Sequence, residues 1–215
     1  MTLRTVALIL AGGQSRRMGR DKALLPLPIT YTDQPTLLER TCSIAQSCGS
    51  RTYVLTPWPE RYGWAQTSTV TWLREPKSGA GPLVALERGW EMIMDDSRRQ
   101  GEESPDWLLV LACDLPALNA ATLETWCQSV VTASGDAIAL LPRQNNHWEP
   151  LCGFYHRRCL PSLHSAIQNN IRSFQRWLTN ETVIPLSLPD SHMLRNCNTP
   201  AEWQQFLDSL PARNP

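Results

Sequence analysis

The chain has 215 residues, a length that suits one domain better than two. It is 42% hydrophobic and 19% charged, with 20 basic side chains against 20 acidic ones and a sequence pI near 6.9. This composition excludes a disordered polyelectrolyte, and the charge balance excludes a nucleic-acid-coating role, which needs a large positive field.

The first apolar run, residues 6–11, is shorter than the core of a secretory leader and leads into Gly-Gly-Gln-Ser-Arg-Arg rather than a small-residue cleavage site. Residues 6–10 are rich in branched side chains and end at Gly12-Gly13, which predicts a strand buried on both faces. Residues 12–21 are polar and form a loop, and 23–27 are expected to be short and extended. Thr36 and Glu39 have capping-box spacing and open a helix to about Ser47. Strands are predicted over 52–55 and 69–73. Gly81-Pro82 opens a longer helix with Leu83, Leu86, Trp90 and Ile93 on one face, expected to end before Asp95-Asp96, and residues 96–106 read as a surface loop. The most apolar strand covers 107–113, with Asp114 at its carboxyl end. Asn119 caps a helix that turns Leu123, Trp126, Val130 and Val131 inward. Strands are expected at 137–141, 151–155 and 183–188, and a helix at 160–167. Thr199-Pro200-Ala201-Glu202 starts a final helix with a capping box and proline at its first position.

Strands alternating with helices predict an open, mostly parallel α/β sheet, in which ligands bind beyond the carboxyl ends of the strands. No stretch approaches 18 apolar residues, so no membrane span is expected. Seven cysteines, at 42, 48, 113, 127, 152, 159 and 197, contain no C-x-x-C pair. They read as reduced, mostly buried thiols of a cytoplasmic protein.

Two loops at the predicted ligand edge carry chemistry. In residues 10–22, paired glycines after a buried strand let a ligand approach the backbone, and free amides bind anionic oxygens. Arg16, Arg17, Arg20 and Lys22 add four cations within seven residues, where a polyphosphate would be held. The chain has only two lysines, Lys22 and Lys77, which makes a lysine in this loop notable. Asp114 is either a turn-forming cap or a ligand for Mg²⁺, which binds through one or two carboxylates plus ligand phosphates. Asn196 and Asn198, just before the last helix, are either turn residues or amide contacts to a ligand. His147 reads as a surface histidine. Trp58, Trp64 and Trp148 lie in loops and could stack on a ring, although burial is the commoner fate of tryptophan.

Residues 10–22 resemble the Leu-x-Gly-Gly-x-Ser-x-Arg-Met-Gly-x-Asp-Lys signature of nucleotidyltransferases. Gly81-Pro82-Leu83, Cys113-Asp114-Leu115-Pro116, the segment from Glu149 to Tyr155, and Asn196-Cys197-Asn198-Thr199-Pro200 resemble stretches of the molybdenum cofactor guanylyltransferases. That resemblance implies a Rossmann-like three-layer fold in a single domain, 1–215, with a nucleotide half to about 115 and an acceptor half from about 116. It implies transfer of GMP from GTP to the terminal phosphate of molybdopterin, with Mg²⁺ as cofactor. GTP and molybdopterin are then the partners, alongside other proteins of molybdenum cofactor biosynthesis, with no nucleic acid or membrane. By position, Leu10, Ala11, Gly12, Gly13, Lys22, Glu75, Gly81 and Asp114 would contact GTP. Lys22, Asp114 and Arg17 would be catalytic, Asp114 would hold the metal, and Asn196 and Asn198 would face the acceptor. Where the family carries an aspartate before Gly-Pro-Leu, this chain has Glu75, which leaves base selectivity open. A CTP-dependent enzyme, a sugar-phosphate acceptor, or a non-catalytic nucleotide-binding protein are the competing expectations.

Overall fold

The computed structural model describes residues 4–29, 31–48, 51–65, 70–76, 79–133 and 135–210, with the side chains of 63–65 left out. Thr69, Lys77 and the Trp64 side chain, named above, lie outside the described residues.

The parallel part of the sheet is built first along the chain. Strand β1 (Thr5–Leu10) lies between β2 (Arg51–Thr56) and β4 (Trp107–Ala112), and β3 (Val70–Arg74) flanks β2, all in parallel. Helix α1 (Leu37–Ser47) crosses from β1 to β2, and α2 (Pro82–Arg99) from β3 to β4. Helix α3 (Ala120–Val131) leads to β5 (Ala139–Gln144), which turns into the two-residue β6 (His147–Trp148). Strand β7 (Cys152–His156) then inserts antiparallel between β4 and β5. Helices α4 (Leu160–Gln168) and α5 (Phe174–Leu178) lead to β8 (Val183–Leu186), which runs parallel to β5, and α6 (Pro200–Ser209) closes the described chain. Among the described residues the sheet has eight strands in the order β3-β2-β1-β4-β7-β5-β6, with β8 on β5.

Strand alternation sends Ala7, Ile9, Leu109 and Leu111 to one face, against Leu38, Cys42 and Ala45 of α1 and Leu123, Trp126 and Val130 of α3. Val6, Leu8, Leu108 and Val110 face the other way, onto Leu83, Leu86, Trp90 and Ile93 of α2 and onto Leu163, Phe174 and Trp177. A third, smaller core joins Met18, Leu25 and Leu37 to Cys197 and Trp203, and so ties the first loop to the last helix.

Four expectations need correction. Residues 22–24 form a 3-10 turn rather than extended chain, because Asp21 caps it by accepting from the Ala23 N–H at 3.1 Å. Helix α2 runs to Arg99, past Asp95-Asp96: Arg98 pairs with Asp95 at 2.7 Å, and Tyr53 and Arg51 hold Asp96, so the acids are served where they stand. The surface loop is thereby shortened to the residues after 99. Val131 is 71% exposed, since a residue directly after the buried Val130 is turned about 100° away from it on a helix. The seven cysteines are free, four of them buried. Among the described residues no helix is long and apolar enough to cross a membrane.

Candidate active site

A cleft of about 410 Å³ opens at the carboxyl ends of β1 and β4, within the range of small-molecule sites. Its first wall is the loop after β1. Ala11 still donates to the Leu55 carbonyl, at 2.9 Å, but from Gly12 to Arg17 the backbone N–H groups have no acceptor among the described residues. The loop is folded back on Ser15, which sits at φ 49°. Its carbonyl accepts from Met18 and Gly19, and its Oγ accepts from the Lys22 N–H at 3.1 Å. A run of free amides in a bent backbone is a cradle for anionic oxygens.

The bend delivers Lys22 across the cleft. Its Nζ donates to Asp114 Oδ2 at 2.6 Å and to Asn198 Oδ1 at 2.9 Å, so three segments 92 and 176 residues apart meet at one ammonium. Lys22 and Asp114 side chains are 14% and 16% exposed, a partly desolvated pair in which the charge attraction is stronger than at the surface. The asparagine end is held by the backbone: Cys197 N–H donates to the Asp114 carbonyl at 3.1 Å. Glu202 Oε2 accepts from Asn198 N–H and Thr199 N–H at 2.7 and 2.9 Å. These hydrogen bonds hold the Glu202 carboxyl below the usual range. The capping box of α6 therefore positions Asn198 as well as starting a helix.

The second wall carries Glu75, just past β3. It is 7% exposed, its Oε1 lies 3.6 Å from Arg88, and burial outweighs that cation to raise its carboxyl pKa. A Cβ on Gly12 would fall 2.8 Å from Glu75 Oε2 and 3.3 Å from Pro57 Cδ, so a larger residue there would push the Glu75 carboxylate aside. Gly81, at φ 91°, turns the chain into α2, with Pro82 at the first helical position. Glu149 lines the far part of the cleft together with Leu151. Cys113 also lines it, but burial pushes its thiol far up, which keeps it protonated and unsuited to nucleophilic work.

The structure brings Leu10, Ala11, Gly12, Gly13, Lys22, Glu75, Gly81, Asp114 and Asn196 to this one cleft, with Asn198 behind Lys22. It does not bring Arg17 there: that side chain is exposed, and its charge is the smallest of the influences that lower the Glu202 carboxyl. Arg16 and Arg20 instead line an adjoining cavity of about 330 Å³ with Arg61, whose guanidinium lies 4.2 Å from the Trp58 ring centre. Trp148 sits under Arg143 and is pinned by Gln175, and His147 is exposed; none of Trp58, Trp148 and His147 lines the cleft. Reading the sequence by residue type missed Gln14, Asp21 and Arg61, and saw Glu149 only as part of a resembling stretch. A carboxylate directly before proline at a strand start was the available signal for the last.

Among the described residues no group of three or more His, Cys, Asp or Glu could enclose a metal. One carboxylate beside a phosphate-type cradle fits instead a divalent ion held chiefly by its ligand's own oxygens.

An open sheet with this loop and this aspartate at its ligand edge defines a nucleotidyltransferase-type α/β protein. Solved structures share the architecture. A nucleotidyl transferase from Methanothermobacter thermautotroptrophicus superposes with a TM-score of 0.71 at 18% identity, covering 95% of this chain and 96% of the other. The molybdopterin-guanine dinucleotide biosynthesis protein A of Archaeoglobus fulgidus gives 0.68 at 19% identity, over 93% and 95%. The chain belongs to the MobA-like NTP transferase domain family, which matches residues 7–183. A probable molybdenum cofactor guanylyltransferase of a Nostoc species is 44% identical over 97% of this chain and 95% of its own length. One from Synechococcus elongatus is 42% identical over 92% and 95%. The molybdenum cofactor guanylyltransferase of Pseudomonas putida is 29% identical over 92% and 94%.

Proposed function

We infer that this protein transfers GMP from GTP to the terminal phosphate of molybdopterin and releases pyrophosphate. The observation that carries the reading is the meeting of Lys22, Asp114 and Asn198 beside the free amides of the glycine loop, in a chain whose relatives at 42–44% identity carry that activity in their names.

An acceptor phosphate oxygen attacks the α-phosphorus of GTP in line. The bond from that phosphorus to the oxygen bridging to the β-phosphate breaks, and pyrophosphate leaves with the electron pair. A phosphate dianion is already nucleophilic, so a general base is not required, and the cleft's protonated thiol is not needed. The free N–H groups after Gly12 hold phosphate oxygens, and Lys22 faces the charge that grows on the leaving group. Mg²⁺ on Asp114 would offset negative charge on the phosphates. The seven free thiols support a cytoplasmic setting. Residues up to about 115 supply the nucleotide's contacts, and those beyond supply most of the acceptor's.

Glu75 gives the base reading its chemistry. A carboxylate accepts from the N1–H and 2-amino group of guanine together, whereas cytosine presents one amino donor beside acceptors. Pyrophosphate release is the direct test: molybdopterin and Mg²⁺ with GTP, ATP, CTP or UTP in turn. Release with GTP well above the other three is expected. Release with CTP, or only with a sugar phosphate as acceptor, would refute the reading, as would GTP binding with no release.

A further inference from the structure

The backbone that carries Glu149 is fixed, while its carboxylate has no hydrogen bond to the described residues. Its N–H donates to the Pro142 carbonyl at 2.9 Å, the Tyr155 hydroxyl donates to the Pro150 carbonyl at 2.8 Å, and Ala112 N–H to the Leu151 carbonyl at 2.7 Å. The turn that carries it is therefore pinned on both sides. Its carboxylate has no hydrogen-bond or ion-pair partner among the described residues, and it shares the cleft with the apolar Leu10, Ala112 and Leu151. Partial burial in that setting raises its pKa, outweighing a smaller opposing influence of the exposed His147. A carboxylate held in an apolar wall without donors costs free energy that a ligand's N–H groups would offset.

The arrangement along the sheet edge indicates which ligand. In the order β3-β2-β1-β4-β7, Glu75 follows β3, the glycine loop follows β1, and Asp114 follows β4. Glu149 precedes β7, whose antiparallel course brings its amino end to the same edge. The edge thus runs carboxylate, phosphate cradle with cation and aspartate, carboxylate. The dinucleotide made from GTP and molybdopterin runs purine, diphosphate, pterin. Its two ends share one recognition element: guanine and pterin both present a ring N–H beside a 2-amino group, on a 2-amino-4-oxopyrimidine edge. A carboxylate accepts such a pair of donors in two parallel hydrogen bonds.

We propose that Glu149 is the acceptor-specificity residue, taking the 2-amino-4-oxopyrimidine edge of the pterin on the far side of the phosphate cluster from Glu75. The assignment rests on molybdopterin being the acceptor.

The test compares the parent with Glu149→Ala and Glu149→Gln, using pyrophosphate release with GTP and molybdopterin varied separately and direct fluorescence titration of molybdopterin onto each protein. Loss of two charge-assisted bonds raises the molybdopterin KM and its dissociation constant roughly tenfold or more in Glu149→Ala, with kcat and the GTP KM within about twofold of the parent. Glu149→Gln keeps one acceptor and falls between. Thermal melting of both variants stays at or slightly above the parent, because no protein donor is lost and an unserved carboxylate is relieved. A rise in the GTP KM instead would assign Glu149 to the nucleotide and overturn the proposal, as would molybdopterin affinity unchanged in both variants. If the parent neither binds molybdopterin nor releases pyrophosphate with it, the acceptor itself is wrong, and the proposal falls with that reading rather than on Glu149.

Discussion

Lys22 is the residue on which the site converges, since it bridges the glycine loop, Asp114 and Asn198. An interaction that strengthens as the leaving group gains charge is lost from kcat when it is removed, not only from KM. A charge-assisted contact is worth about 1.5–3 kcal/mol. Lys22→Ala is expected to lower kcat/KM for GTP roughly ten- to a hundredfold in steady-state assays with molybdopterin saturating. Lys22→Arg recovers part of this, because a planar fork does not reproduce a compact ammonium seated between a carboxylate and an amide. The two loop glycines separate a second question. A Cβ at Gly12 meets Glu75 and Pro57, whereas one at Gly13 meets nothing within 4 Å. Gly13→Ala therefore leaves the protein's own packing intact and obstructs only what approaches the backbone. We expect a rise of about tenfold in the GTP KM with an unchanged melting temperature. An unchanged KM would mean that phosphates do not lie over Gly13. Residue types in residues 10–22 made this loop legible from sequence alone. Arg17 was not so legible: adjacent arginines in a bent loop point to different sides, and only the fold decides which reach a ligand.

At the scale of elements, caps and periodicity were readable because they are local. Thr36, Asn119 and Thr199 each accept from the N–H three residues on, as their spacing foretold. The reversal of β7 was not readable, because the direction of a strand is set by partners distant in sequence. A local clue did exist: Asn145-Asn146, both at positive φ (46° and 65°), is a turn of the kind that joins hairpin strands, and it marks β5 and β6. Gly153 shows what the reversed strand demands. A Cβ there would lie 2.5 Å from the Leu140 carbonyl oxygen and 2.8 Å from the Leu141 side chain, on the neighbouring β5. Backbone cannot yield as a side-chain tip can. Gly153→Ala is expected to destabilise the protein by about 1–3 kcal/mol in urea unfolding. Because Leu151 and Glu149 lie directly upstream, the molybdopterin KM should rise in the same variant.

For the molecule as a whole, the two cores on either face of the sheet were foreseeable from alternation along the strands, while the third core was not, since it joins segments near opposite ends of the chain. The opposite rim of the sheet carries a pH sensitivity. His156, at the end of β7, is 9% exposed and packs edge-on against Trp107, with its Nδ1 accepting from the Arg158 Nε at 2.9 Å. Burial first, and the Arg158 charge second, lower its pKa from 6.5 to about 4. The unfolded chain therefore binds a proton that the folded chain refuses between those values. Stability contributed by neutral His156 is complete above pH 6.5 and is lost as pH falls toward 4. Urea midpoints of the parent should drop between pH 7 and pH 5 by more than those of His156→Gln, which has no ring to protonate. Equal drops would place the acid sensitivity elsewhere.

The Lys22 ammonium rests on Asp114, so these two charges offset one another and neither is bare. On the proposed function, a triphosphate that drew the lysine toward its own oxygens would unmask the aspartate. A divalent ion arriving by itself would have no such exchange to offer and would have to displace that ammonium. On the proposed function, Asp114 would then be open to a divalent ion chiefly when a nucleotide is there to share it, and lone cations would compete with an ammonium already in place.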